Sequence, residues 1–273
     1  MTVKNDGEGR RWVDMEFLVP GSPEQVWDAI ATGPGMSAWF TPTTVDEKVG
    51  GAIEFDFGGG AVSSGVITDW DPPVRLEYEE HGWSGDAPPV ATEVVVTGRS
   101  GDQCVVRIVH SLFTDRDDWD DELQSFEGGW PAFFEVLRIY LRDFAGQPAT
   151  IASAAAEHPA DLVRAWSDLA TSLGIAGVDV GQRIETPSPA PRLQGVVHRI
   201  HHTDEFRYVM VRLEAPAPGV AVIGGCAPDG QVRLSASLYF YGEGAADAAQ
   251  EATKWRAWMA QWNRDRDLIV SQP

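Results

Sequence analysis

The residues of this sequence that could take part in proton transfer lie on two strand-like stretches. In CVVRIVHSLF, residues 104–113, polar and apolar side chains alternate, so His110 faces inward if Arg107 faces solvent. By the same alternation, Tyr78 and Glu80 point to the inner side of their own stretch. A buried imidazole near a carboxylate can act as a general acid or base near neutral pH, and a phenol can orient a substrate carbonyl. These three residues are therefore the candidate catalytic groups.

A structural role competes with this chemistry, because buried histidines are commonly hydrogen-bonded core residues. Both interpretations of His110 stay open on the sequence alone. Among the other histidines, His198 and His202 would share one face of a strand while His201 points away, and no cysteine or clear set of carboxylates completes a metal site. The sequence contains no nucleotide-binding glycine loop, and the glycines at 58–60 indicate a turn. We therefore expect neither a metal nor a cofactor.

An apolar-faced helix within residues 118–144 must cover these inward-facing groups. Its apolar residues recur at steps of three and four, and at about 25 cal/mol per Å² of buried area only a sheet offers a partner of comparable size. Pro131 removes a helical hydrogen bond, which predicts a kink or a new helix that begins near Gly129. The apolar stripe either packs a solid core or forms the lid of a ligand cavity. It consists of Leu123, Phe126, Trp130, Phe133, Phe134, Leu137, Tyr140, Leu141 and Phe144.

The composition excludes several classes of function. The chain of 273 residues has a formal net charge of −20, so phosphate backbones and anionic membrane surfaces would repel it. Cys104 and Cys226 lie in separate strand-like stretches, which does not indicate a disulfide framework or a metal site. No apolar stretch approaches the length of a membrane span, and the N-terminal residues show no apolar signal segment. We therefore expect a cytoplasmic protein that binds neither nucleic acid nor membranes.

The elements follow one another in an order that predicts an antiparallel sheet closed by the long helix. Ser22 is placed to cap a helix that begins at Pro23, and alternating strands separated by turn signals follow. The stretch at residues 147–157 is rich in small residues and has no apolar period, so it is predicted to be a linker. The predicted domains are residues 1–146 and residues 158–273.

The second half of the chain repeats features of the first half in the same order. VGQRIE at 180–185 matches VGGAIE at 49–54, and further matches follow at similar spacings. We infer an internal duplication in which the second copy lacks the opening strand. Aligning the two halves puts Ala236 at the position of His110, so chemistry based on that imidazole belongs to the first domain only.

Short motifs mark the first half: PEQVW at 23–27, MSAWF at 36–40, GG at 50–51, DPP at 71–73 and GGW at 128–130. Together with the order of elements, they resemble the helix-grip fold of the START or Bet v 1-like superfamily, also called SRPBCC. Within it, about residues 10–145 resemble the family named after the activator of Hsp90 ATPase. The resemblance implies an α+β fold in which an antiparallel sheet wraps around a long C-terminal helix, here in two tandem copies with the second truncated.

The resemblance also guides the expected function. Family members with known roles mostly bind apolar small molecules between sheet and helix, and a minority catalyse polyketide cyclisation and dehydration. We therefore expect the first domain to bind an apolar or aromatic small molecule, with Trp39 at the mouth of the pocket. The predicted ligand-binding residues are Trp39, Phe55, Phe57, Tyr78, His110, Trp130, Phe134 and Leu137.

Two alternatives to this binding function remain open on the sequence. One is a polyketide cyclase/dehydratase-like or hydrolytic enzyme that uses His110 with Tyr78 or Glu80. The other is a chaperone-associated module, similar to activators of Hsp90 ATPase, that binds a protein partner through its acidic surface. A binding protein is favoured over an enzyme, and the oligomeric state stays open.

Overall fold

The computed structural model describes residues 3–83, 86–114, 116–227, 230–242, 244–245, 247 and 249–270. Contacts within the chain divide it into two compact units, residues 1–148 and residues 149–273. None of the described helices is both long enough and apolar enough to cross a membrane.

An antiparallel sheet forms the body of the first unit. Its described strands are β1 (Lys4–Asn5), β2 (Arg10–Pro20), β3 (Thr43–Val45), β4 (Ala52–Gly58), β5 (Ala61–Asp71), β6 (Arg75–Glu80), β7 (Val90–Arg99) and β8 (Gln103–Phe113). Their order across the sheet is β1-β2-β8-β7-β6-β5-β4-β3. The expected alternation is present in the first part of β8, where Val106 and Ile108 are buried while Arg107 forms ion pairs on the other face. His110 shares the buried face of Ile108, but Val109 and Ser111 on the other face are buried as well. The sheet therefore has one face that is available to cover a core.

Helices cover the inner face of this sheet. They are α1 (Pro23–Ala31), α2 (Gly33–Ser37) and α3 (Asp120–Ile139), and a π-helical turn follows at Tyr140–Phe144. Ser22 caps α1 as expected, in a capping box with Gln25. Helix α3 packs on β2 and β8, and Phe134 stacks on Phe17 with ring centroids 3.8 Å apart. It continues through Pro131, so of the two expected alternatives, a kink or a new helix, the new helix near Gly129 is not formed. The predicted α+β helix-grip architecture is confirmed.

The second unit has its own antiparallel sheet and long helix. Its described strands are β9 (Ala149–His158), β10 (Arg183–Glu185), β11 (Gln194–His202), β12 (Phe206–Ala215), β13 (Gly219–Cys226) and β14 (Val232–Tyr241), and its helices are α4 (Leu162–Ser172) and α5 (Ala249–Val270). The strand order is β10-β11-β12-β13-β14-β9. Helix α5 packs on β9, and its residues Trp255 and Met259 are fully buried in the core of this unit.

Strand β9 corrects two expectations from the sequence, the linker at residues 147–157 and the missing opening strand of the second domain. It pairs with β14 along its whole length, as β2 pairs with β8 in the first unit. Ala152 and Ala154 face the core while Ser153 is exposed, so the strand alternates between faces. Because all of these side chains are small, the alternation carries little hydrophobic contrast and was not recognisable in the sequence.

The two units also share a turn with the same hydrogen bonds. Gly50 and Gly181 both have positive φ angles, 78° and 89°. Their amides donate to the carbonyl oxygens of Ile67 and Val197, each at 2.8 Å. Ile67 and Val197 each return an amide hydrogen bond of 2.9 Å to the residue that follows the glycine. This turn and the shared strand order are consistent with two tandem copies of one fold.

Candidate ligand-binding site

A cavity of about 200 Å³ lies between the sheet and α3 in the first unit. An engineered apolar cavity of roughly 150 Å³ binds benzene, so this volume suits one aromatic ring with short substituents. Most of the wall is aromatic and comes from β4, β6, α3 and the chain that follows α2. The aromatic residues are Phe40, Phe55, Phe57, Tyr78, Phe126, Trp130 and Phe133, and the other described lining residues are Glu80, His110, Ser125 and Gly129.

The strand register brings the polar groups of the wall to one face of the sheet. Tyr78 on β6 lies opposite Thr92 on β7, and Thr92 lies opposite His110 on β8. Residues that are directly opposite on antiparallel strands share a face and lie within contact distance. Glu80 follows two residues after Tyr78 and therefore shares this face. The alternation in the sequence predicted this common face correctly.

The His110 imidazole is hydrogen-bonded at both ring nitrogens. Trp130 donates its indole N–H to Nε2 of His110 at 2.7 Å, and the Thr92 hydroxyl oxygen lies 2.9 Å from Nδ1. An indole nitrogen can only donate, so Nε2 carries no proton, and the neutral ring donates from Nδ1 to Thr92. Burial lowers the pKa of His110 to about 3, in agreement with the neutral state that the hydrogen bonds require.

These contacts favour the structural interpretation of His110 over the catalytic one. The lone pair that could accept a substrate proton is used by Trp130, and the ring of Phe126 stacks on the imidazole at a centroid distance of 4.4 Å. A general base needs its acceptor atom within hydrogen-bonding reach of the substrate. In this geometry His110 links α3 to the sheet and forms a fixed part of the cavity wall.

Glu80 supplies the carboxylate of the described cavity wall. The Ser63 hydroxyl donates to its Oε1, and none of the described residues donates to its Oε2. Burial raises the pKa of Glu80, and the hydrogen bond from Ser63 opposes this rise. The described lining residues include no lysine or arginine. Glu80 can therefore accept a hydrogen bond from a molecule in the cavity or bind its positive charge.

Tyr78 places a phenol beside this carboxylate. The residue is 4% exposed. Burial raises its pKa, the charge of Glu80 raises it further, and a hydrogen bond from Thr92 opposes the rise. The phenol therefore keeps its proton over the whole physiological pH range and remains a potential hydrogen-bond donor.

Gly129 provides space in the middle of α3. Apart from its chain neighbours and the backbone of its own helix, a Cβ atom added at this position would meet no described heavy atom within 4 Å, and Gly129 lines the cavity. Its φ angle is not positive, so the backbone at this position does not require glycine. The absence of a side chain therefore keeps the cavity open without a backbone reason for glycine.

Phe40, rather than Trp39, joins the cavity wall. Trp39 is 2% exposed and donates its indole N–H to the Ala29 carbonyl at 2.8 Å, which anchors it in the core. Phe40 packs against Trp130 and Phe133, with ring centroids 5.2 and 4.8 Å apart. Consecutive residues near a helix end point in different directions, and the sequence does not say which of them faces the cavity. Trp39 is therefore not at the mouth of the pocket.

Several predicted ligand-binding residues do lie in the wall. They are Phe55, Phe57, Tyr78, His110 and Trp130. Phe134 and Leu137 are instead fully buried outside it, because the apolar stripe of α3 covers both the cavity and the solid core. Phe126 and Phe133 belong to the same stripe, so their periodicity was the signal that could have identified them as lining residues. Ser125, Gly129 and Phe40 carried no such signal.

The histidine cluster of the second unit makes aromatic contacts. On β11, His201 stacks on Tyr208 with centroids 5.1 Å apart, and His202 packs edge-on against Trp166 at 5.5 Å. In the part of the chain that the structure describes, no group of three or more His, Cys, Asp and Glu residues could hold a metal ion. The contacts explain these two histidines as parts of aromatic packing.

Comparison with known proteins finds one family model that matches most of the first unit. Residues 20–142 match the family model described as Activator of Hsp90 ATPase homolog 1-like protein. This range contains every described residue of the cavity wall. No curated protein matches the chain.

Solved structures also resemble the chain. Protein MLL2253 from Mesorhizobium loti is 22% identical with a TM-score of 0.45, and the match covers 49% of this chain and 98% of that protein. The Aha1 dimer from Colwellia psychrerythraea is 21% identical with a TM-score of 0.41, over 50% of this chain and 98% of that one. DynU16, described from the dynemicin biosynthetic locus, is 18% identical with a TM-score of 0.42, over 83% and 86%.

Proposed function

We propose that the first unit binds a small apolar or aromatic molecule between its sheet and α3. The proposal rests on the cavity and on the match of residues 20–142 to the family model described as Activator of Hsp90 ATPase homolog 1-like protein. The observation that carries the proposal is the aromatic wall around about 200 Å³ of space. Apolar walls with a few polar groups are typical of small-molecule sites, and this volume limits the ligand to about one or two rings.

Binding is favoured over catalysis because the groups needed for proton transfer are not free to act. His110 is committed to Trp130 and Thr92. Tyr78 holds its proton too strongly to serve as a base, since burial raises its pKa. Glu80 is the remaining titratable group of the described wall, and a carboxyl alone can orient a ligand without any reaction.

The test uses Gly129, which allows the cavity to be filled without disturbing the backbone. Gly129→Leu places a side chain in the open space and replaces a helical glycine, so we expect weaker binding of indole and naphthalene by about tenfold or more, without loss of stability. Isothermal titration calorimetry measures the affinity, and thermal unfolding measures the stability. Gly128→Leu is the matched control because Gly128 is exposed on the same helix and is not part of the wall.

Saturable binding by the wild type and by Gly128→Leu, together with its loss in Gly129→Leu, supports the proposal. If neither indole nor naphthalene binds saturably to the wild type, or if Gly129→Leu binds them as well as the control does, the cavity is not the site and the proposal fails.

A further inference from the structure

We propose that the molecule bound in this cavity carries an organic ammonium group, held by the Glu80 carboxylate and by the faces of the surrounding aromatic rings. This inference rests on the proposed function and adds the chemical class of the ligand. It depends on where the charges and hydrogen-bonding groups of the described wall are placed.

The charge of the wall has one sign. Glu80 lines the cavity, and its described polar partner is the neutral hydroxyl of Ser63. No lysine or arginine is present among the described lining residues, so the described part of the wall offers no cation to neutralise this carboxylate. A carboxylate removed from water is costly unless an opposite charge accompanies it. A cationic ligand would supply that charge, whereas an anionic ligand would be repelled.

The side chain of Glu80 is held in place by its surroundings. It lies opposite Gly65 in the register of β5 and β6. A Cβ atom added at Gly65 would lie 3.2 Å from Cγ of Glu80 and 2.7 Å from the Glu79 carbonyl oxygen. Gly65 therefore leaves the room that the Glu80 side chain occupies, and Ser63 on the same strand fixes its Oε1. Such preorganisation lowers the entropy cost of binding a charged group.

The rings of the wall suit the same ligand. Phe40 has Phe55 and Phe57 at centroid distances of 5.9 Å and Trp130 at 5.2 Å, so several π systems surround one small space. The face of an aromatic ring attracts a cation, and cages of such rings recognise alkylated ammonium groups. A cage of this kind favours an ammonium over an uncharged group of the same shape.

Other groups of the wall offer little competition for this role. Both nitrogens of His110 are already hydrogen-bonded, so its imidazole cannot accept a bond from the ligand. The phenol of Tyr78 keeps its proton and stays neutral. The formal net charge of −20 adds a favourable long-range attraction for small cations.

The experiment compares two molecules of the same shape. Phenyltrimethylammonium and tert-butylbenzene differ by one positive charge, and their affinities are measured by ligand-observed NMR titration of the full chain. We expect the cation to bind the wild type at least about tenfold more tightly than the neutral molecule. Glu80→Gln should remove most of this preference, while tert-butylbenzene should bind at least as tightly as it does to the wild type because no carboxylate has to be desolvated. The retained affinity for the neutral probe shows that the cavity is intact.

The matched control is Glu79→Gln. It makes the same change of charge at the neighbouring residue, whose side chain points to the other face of β6, so the preference for the cation should persist within about twofold. Equal binding of both probes by the wild type overturns the ammonium proposal and leaves the proposed binding function standing. Equal loss of preference in both variants also overturns it. If neither probe binds saturably, the proposed function fails together with this inference.

Discussion

The His110 ring accepts one hydrogen bond and donates another, and its two partners come from different elements. Trp130 lies on α3 and Thr92 lies on β7, so the neutral imidazole connects the helix to the sheet. Protonation of Nε2 would place two N–H groups against each other. A titratable side chain is thus part of the packing, so the stability of the first unit depends on the protonation state of this ring.

We predict that His110 makes the first unit less stable as the pH falls below 6.5. Its pKa in the folded state is about 3, below the ordinary value of 6.5. Between these values the unfolded chain binds more protons than the folded chain, so this contribution to stability is fully present above pH 6.5. It is lost as the pH decreases, by up to about 1.4 kcal/mol per pH unit.

Urea unfolding at pH 7 and pH 5, followed by NMR signals of the first unit, measures this slope. His110→Gln can keep one donor and one acceptor but cannot titrate, so we expect a shallower pH dependence than in the wild type. His81→Gln, at an exposed position, should retain the wild-type slope. Equal slopes for His110→Gln and the wild type would show that His110 is not held neutral by the fold.

Strands and helices with strong hydrophobic contrast were predictable from the sequence, and those without it were not. The alternation on β6 and β8 and the apolar stripe of α3 placed Tyr78, His110 and Trp130 on facing surfaces, as the structure has them. Strand β9 was not predicted because alanine and serine differ little in hydrophobicity, so the alternation of its faces is hardly visible in the sequence. Phe40 was missed because its direction depends on how Trp39 docks, which is a tertiary contact.

At two glycines of the sheets, the neighbouring strand approaches so closely that a change to alanine should destabilise the protein. A Cβ atom at Gly65 on β5 would lie 2.7 Å from the Glu79 carbonyl oxygen, and one at Gly195 on β11 would lie 2.1 Å from the Arg212 carbonyl oxygen. We expect Gly65→Ala to destabilise the first unit and Gly195→Ala to destabilise the second, each by about 1–3 kcal/mol.

Gly129→Ala serves as the control because it makes the same chemical change in open space on a helix. It should stabilise the first unit by about 0.5–1 kcal/mol. Hydrogen exchange of the most protected amides in each unit reports the two free energies separately. A neutral effect of Gly65→Ala and Gly195→Ala would mean that the paired strands can move apart at no cost.

All described residues that line the cavity lie in the first unit, residues 1–148. We therefore predict that residues 1–148, produced without the second unit, bind indole with an affinity within about twofold of that of the full chain. Both affinities are measured by calorimetry, and the circular dichroism spectrum of the fragment checks that it is folded. A folded fragment with much weaker binding would show that the second unit contributes to the site.

Because Gly129 has no side chain, a substitution at this one position can change which ligand fits the cavity. Substitution by alanine, serine or valine would reduce the cavity volume in small steps and would raise the helix propensity at this position. The size of the ligand that fits can therefore change without a loss of folding stability. Retaining glycine there forgoes that gain in helix stability. We expect related chains that differ at this one residue to select ligands of different size, while Glu80 would still determine the preferred charge of the ligand.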